Sequence, residues 1–168
     1  MEETKILIVS DLHHTHHAGQ PCPHPSRRGD KALDLLKKVL LAEKNNVHLL
    51  VLLGDLLDDG NLDGAMEDLM EIRDAVEKSG IPALALAGNH DGSQDAIADA
   101  FGTREGLYRM KGCSLMLFND AYDASDRCAR DRERMLAYLG EAPEGEPLIV
   151  FQHNPVHPAI DSPYPYNL

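Results

Sequence analysis

The chain has 168 residues, 43% of them apolar, the length and composition of one ordinary domain with a substantial core. Its 16 Lys and Arg against 28 Asp and Glu give a formal charge of −12, which argues against binding duplex nucleic acid or an anionic membrane, where basic side chains must neutralise phosphates. The start M-E-E-T-K lacks the basic and apolar stretches of a secretion signal, no run reaches membrane-spanning length, and Cys22, Cys113 and Cys128 form no C-x-x-C pair, so a cytoplasmic protein with reduced thiols is expected.

In chain order, Ile6 to Val9 is a short apolar run ending in S-D-L-H and predicts a strand. Ala18 to Gly29 is punctuated by prolines and predicts a long loop. Asp30 to Glu43 sets Leu33, Leu36, Val39 and Leu40 at helical spacing and stops at Asn45 and Asn46. A second strand, Leu49 to Leu53, leads into G-D-L-L-D-D-G. Leu62, Met66, Leu69, Ile72 and Val76 then mark a second helix that Ser79 and Gly80 end. Ala83 to Ala87 is a third strand leading into G-N-H-D, and Ser93 to Phe101 a short helix. Leu107 to Lys111 and Ser114 to Asn119 predict a hairpin around Gly112, and Asp126 to Leu139 a helix with a charged outer face. Leu148 to Phe151 is a last strand leading into Q-H-N-P, and Asn154 to Leu168 reads as loop. Strands alternating with helices predict an α/β fold forming a single domain over residues 1–168.

The strands that read as buried on both faces share one property: polar side chains follow at the carboxyl end, where open α/β sheets bind ligands. Asp11 and His13 stand two apart, so both can reach one ion, and carboxylate with imidazole suits manganese, iron, zinc or cobalt better than calcium. Taken alone, that pair also reads as a turn-capping Asp beside a surface His. Asp55 follows an apolar run, where an uncompensated carboxylate is costly, and is the candidate to bridge two cations about 3.5 to 4 Å apart. Asp58 and Asp59 read either as site acids or as a turn and helix-start pair. Asn89 offers a neutral oxygen, and His90 a proton near neutral pH. His14, His16 and His17 read as solvated loop, in preference to metal binding or support of the site. Arg27 and Arg28 offer donor forks to a phosphate, yet nothing in the sequence fixes their direction, and they read first as a solvated pair.

D-L-H at 11–13, G-D-L-L-D at 54–58, G-N-H-D at 88–91 and Q-H-N-P at 152–155 resemble the first four motifs of the calcineurin-like metallophosphoesterase superfamily, in the family's order. The resemblance implies a layered αββα sandwich, with Leu117, Phe118, Asn119 and Asp120 in a strand of its second sheet. It implies two divalent metal ions (Mn, Fe, Zn or Co), one held by Asp11, His13 and Asp55, the other by Asp55, Asn89 and His153. His90 then acts on the leaving group, held by Asp58. The expected activity is phosphoester hydrolysis, with a metal-bridging hydroxide as nucleophile. The family's last motif, G-H-x-H, is absent, and the resemblance gives His24 and His157 no place. A C-terminally incomplete fold is therefore expected, either in a short protein that self-associates through an open sheet edge or in a fragment. The alternative is a catalytically impaired scaffold that binds metal.

Overall fold

The structure is a computed structural model that describes residues 3–16, 27–123 and 128–155. The chain divides into two units, Met1–Arg104 and Glu105–Leu168.

The first unit is built on Ile6–Val9 (β1), Leu49–Leu53 (β2) and Ala83–Leu86 (β3), paired in parallel in the order β1-β2-β3. Ile8 pairs with Val51, and Val51 with Leu84, so the three strands end at the same edge. Strand β2 is the central strand, and Leu49 to Leu52 are all buried, which explains its unbroken apolar run. Parallel strands need crossovers, supplied by helices Gly29–Glu43 (α1) and Ala65–Ser79 (α2), which pack on each other. Leu36 and Leu40 of α1 and Leu69, Ile72 and Val76 of α2 share one apolar cluster with Leu50 and Leu52. Gly80 ends α2 with φ +74, a left-handed conformation that costs glycine nothing.

Of the residues that signalled these helices, Leu62 precedes α2, and Leu62, Met66 and Val39 are exposed. Their spacing met the helical period, but they lie outside the face that the sheet covers. Helix Gln94–Phe101 (α3) is capped by the Ser93 hydroxyl, which accepts from Ala96 N at 3.2 Å, and packs on β3. Beyond it, Thr103 Oγ1 accepts from Ala85 N at 3.1 Å and donates to Ala85 O at 3.0 Å, giving this β3 residue the partners a neighbouring strand would supply.

In the second unit, Gly106–Met110 (β4) and Cys113–Leu117 (β5) form the expected hairpin, with Gly112 at φ +86. Strands Ala121–Tyr122 (β6) and Cys128–Ala129 (β7) pair with each other, and Leu148–Phe151 (β8) pairs in parallel with β5. Helix Arg132–Glu141 (α4) begins where the Asp131 carboxylate accepts from Arg134 N at 2.9 Å and caps the first turn, while the expected start at Asp126 lies outside the described residues. Strand β5 ends at Leu117, two residues before the expected Asn119. Phe118, Asn119 and Asp120, which the resemblance puts in a strand, lie between β5 and β6.

Asp120 lies in a buried knot: Arg130 donates to both its carboxylate oxygens, at 2.9 and 2.7 Å, and to Asn154 O at 3.1 Å. The Asn154 amide donates to Asp120 Oδ2 at 3.2 Å, which ties Q-H-N-P to this knot. Hydrogen bonding to Asp120 comes first among the effects that raise the Arg130 guanidinium above its ordinary pKa. Cys113 is buried and Cys128 exposed, both as free thiols, while Cys22 lies outside the described residues. Among those residues no helix is long and apolar enough to cross a membrane.

Candidate metal centre

Beyond β1 and β2 the chain leaves extended geometry in both segments. Asp11 N donates to Gly54 O at 3.1 Å, His13 N to Asp55 O at 2.9 Å, His14 N to Leu56 O at 2.8 Å and Asp58 N back to His14 O at 3.1 Å. The two segments therefore run side by side past the ends of their strands. Asp11, His13 and Asp55 have φ of 55, 47 and 51°. Left-handed backbone is uncommon for residues with a Cβ, and such strain gathers at functional sites.

The third strand contributes a clamp. Asp91, buried to 2% exposure, accepts from Leu56 N at 2.8 Å, Leu57 N at 2.9 Å and Gly88 N at 2.7 Å. One carboxylate thus joins the segment after β2 to the turn after β3. Burial pushes the Asp91 carboxyl up to about 6, against the three backbone donors that favour its charged form. Gly60 N closes the same junction by donating to His90 O at 2.7 Å. Gly88 is required by close approach: a Cβ there would stand 2.2 Å from Asp55 Oδ1.

The side chains gathered here are His13, Asp55 and His90, which offer donor atoms within 4.8 Å of one another. His13 Nε2 stands 3.5 Å from Asp55 Oδ2 and 3.9 Å from Asp11 Oδ1. Two donors of one ion bound at about 2.0 to 2.2 Å lie roughly 3 to 3.6 Å apart, so the shorter separation suits a shared cation. Burial lowers the His13 pKa, which favours the neutral imidazole that a metal needs. His13 Nδ1, on the other side of the ring, lies 4.0 Å from Asp58 Oδ1 with no hydrogen bond among the described residues, so Nε2 is the nitrogen presented to an ion. The residues present fit a divalent cation.

His90 packs edge-on to His13, with ring centroids 4.7 Å apart, and its backbone N donates to Asp55 Oδ1 at 3.0 Å. Its Nδ1 lies 2.7 Å from the backbone carbonyl of Asp58. A carbonyl only accepts, so Nδ1 carries a proton, and Nε2 is the atom left to exchange one. The resemblance implied that Asp58 holds His90, and the contact observed runs through the Asp58 main-chain carbonyl. The Asp58 carboxylate instead receives Arg27 Nη1 at 3.2 Å.

Arg27 thereby departs from the solvated reading: it is half-buried against Asp58, whereas Arg28 is exposed and forks onto Asp30 with two contacts of 2.8 Å. The Asp59 carboxylate accepts from Asn61 N at 2.9 Å, as a turn residue does. Asn89 opens a short 3-10 turn, Asn89–Asp91, and is half-buried. His153 follows β8 by two residues in the second unit and is half-buried.

His14 and His16 are not solvated loop. His14 is buried, and both rings pair with acids of α2, Asp68 and Glu71. The side-chain hydrogen bond to Asp68 is the leading reason that the His16 pKa lies above its ordinary value. His17, His24 and His157 lie outside the described residues. Sequence reading quoted Asp91 within G-N-H-D without giving it a role, and its only signal was an acid set among turn residues. Asp68 left a fainter one, an acid at the start of an amphipathic helix.

The family model for calcineurin-like phosphoesterase matches residues 4–167. No curated protein matches the chain. Among solved structures, a dimetal phosphatase from Danio rerio is similar, with a TM-score of 0.57 and 13% identity over 82% of this chain and 50% of that one. The chain thus spans half the length of that phosphatase, and at this identity the likeness shows the fold alone. The metallophosphoesterase-like α/β class expected from the sequence is the class observed.

Proposed function

The chain belongs to the calcineurin-like phosphoesterase family, and from that premise we propose that it hydrolyses a phosphoester with divalent metal ions held at the strand ends. The observation that carries this reading is the convergence of His13, Asp55 and His90, with Nε2 of a buried imidazole 3.5 Å from a buried carboxylate. Asp11, His13 and Asp55 would hold one ion. For a second ion the ligands are Asp55, Asn89 and His153, on the strength of the motifs G-N-H-D and Q-H-N-P. Bound, such ions acidify a water into a nucleophile and neutralise charge on the phosphoryl oxygens.

The remaining work falls to side chains. His90, held at Nδ1 by the Asp58 carbonyl, directs Nε2 chemistry at the departing oxygen and protonates it, a role typically worth about 100- to 10,000-fold. Arg27 is poised by Asp58 to receive a phosphate oxygen. Gly88 keeps the Asp55 carboxylate close to the third strand's turn.

The test is hydrolysis of an activated and an unactivated phosphodiester with added manganese, beside metal analysis of the purified chain. His90→Ala should keep its metal and lose most turnover on the unactivated ester, and undiminished turnover removes His90 from the mechanism. Asp55→Asn should lose bound metal, and an unchanged metal content refutes the bridging role. Metal binding without any hydrolysis favours the scaffold reading.

A further inference from the structure

Beside the family centre, and independent of it, lies a second cluster in which two imidazoles face two carboxylates. His14 and His16 lie in the segment after β1, and Asp68 and Glu71 stand three apart on one face of α2. His14 Nε2 is 3.1 Å from Glu71 Oε2 and 3.9 Å from Asp68 Oδ1, and His16 Nε2 is 3.0 Å from Glu71 Oε1. His16 Nδ1 also contacts Asp68 Oδ1, and its backbone N donates to the same carboxylate at 3.1 Å. One donor atom from each residue can be chosen so that all lie within 4.8 Å of one another.

We infer that His14, His16, Asp68 and Glu71 form a structural divalent-metal site of the zinc class, clasping the segment after β1 onto α2. The back of His14 supplies the first argument. Its Nδ1 lies 3.3 Å from Gly29 O, and since that carbonyl only accepts, Nδ1 holds a proton and Nε2 is the nitrogen turned toward the acids. A backbone carbonyl behind one ring nitrogen is how a metal-binding histidine is fixed in tautomer and direction. Gly29 makes the approach feasible, because a Cβ there would stand 2.1 Å from His13 O.

Charge and size supply the second argument. With the ion in place of the proton that Asp68 favours on His16, two neutral imidazoles and two carboxylates sum to a charge of about −2, which one divalent ion neutralises, and imidazole with carboxylate is a donor set that zinc accepts. Ligands bonded at about 2.0 to 2.2 Å in a tetrahedron lie roughly 3.3 to 3.6 Å apart, between the 3.1 and 3.0 Å that separate His14 and His16 from the two Glu71 oxygens and the 3.9 Å that separates His14 from Asp68. Four protein donors would close the shell, which suits a structural ion rather than a catalytic one. His14 and Asp68 are buried while His16 is exposed, so an ion can enter from solvent.

The test is zinc titration with metal analysis after desalting, together with cobalt(II) visible absorption, on the wild type, His16→Ala, Glu71→Gln and Asp55→Asn. His16 and Glu71 are chosen because both are at least partly exposed, and circular dichroism checks their folding. The wild type should retain one equivalent more than His16→Ala or Glu71→Gln, with an affinity loss above the roughly 10- to 100-fold that removing an outer partner causes. Asp55→Asn should keep that equivalent, so failure of the family centre leaves this reading intact and separately visible. Equal metal content in the wild type, His16→Ala and Glu71→Gln overturns the site and leaves an ion-pair network only. Loss of all zinc in Asp55→Asn overturns it as well.

Discussion

The clamp at Asp91 sets burial against hydrogen bonding, and one substitution separates them. In Asp91→Asn the amide oxygen keeps the Leu56 and Leu57 donors, but the amide nitrogen meets Gly88 N–H, leaving one buried donor unsatisfied at about 1 to 3 kcal/mol. Superimposed on that loss is a pH dependence that only the acid has. Burial lifts the folded carboxyl to about 6, from the 3.8 that is ordinary for an aspartate. The folded state therefore binds the proton more tightly than the unfolded chain, and this contribution is complete below the unfolded value and lost as pH rises through the folded one. A shift of about 2 units at 1.36 kcal/mol each gives roughly 3 kcal/mol in all, about 2 of it between pH 4.5 and 7.5. Urea unfolding followed by circular dichroism, in chelator, should show wild type losing stability relative to Asp91→Asn across that interval. A difference that is constant, or that grows in the wild type's favour as pH rises, means the three N–H donors outweigh burial and refutes the argument.

Two further substitutions test the packing around each motif. Gly88→Ala drives a Cβ into Asp55 Oδ1 and also to 2.5 Å from Asp55 N, so zinc or manganese retention at the His13 and Asp55 centre should fall together with thermal stability; a stable variant with unchanged metal content rejects the close-approach account. Arg130→Ala leaves the buried Asp120 carboxylate without its guanidinium, a loss of about 3 to 5 kcal/mol for a broken buried pair. Hydrogen exchange should quicken at amides around β6, β7 and Asn154, and unchanged protection there means the knot carries no stability.

The sequence by itself determined strands β1 to β5 and β8, the helical crossovers and the polar residues that follow the strand ends, and left the short pair β6 and β7 unread. Those signals are local: the apolar run Leu49 to Leu53 ends at Gly54 and Asp55 whatever the rest of the chain does, and Ser79 and Gly80 stop a helix through turn chemistry. G-N-H-D was equally legible, because it is one of the four motifs that carry the resemblance to the calcineurin-like family. Only the tertiary structure decided what each side chain faces. The Asp58 carboxylate turns to Arg27 while its carbonyl holds His90, because backbone bonding between the segments after β1 and β2 fixes the loop's path. His14 is buried because α2 passes over it, bringing Asp68 and Glu71 from more than fifty residues away. Asp91 became a clamp when the amides of Leu56 and Leu57 arrived at its carboxylate. Direction and partnership are long-range properties, set by which segments the packed sheet carries to the same edge, and no period or spacing along the chain encodes them.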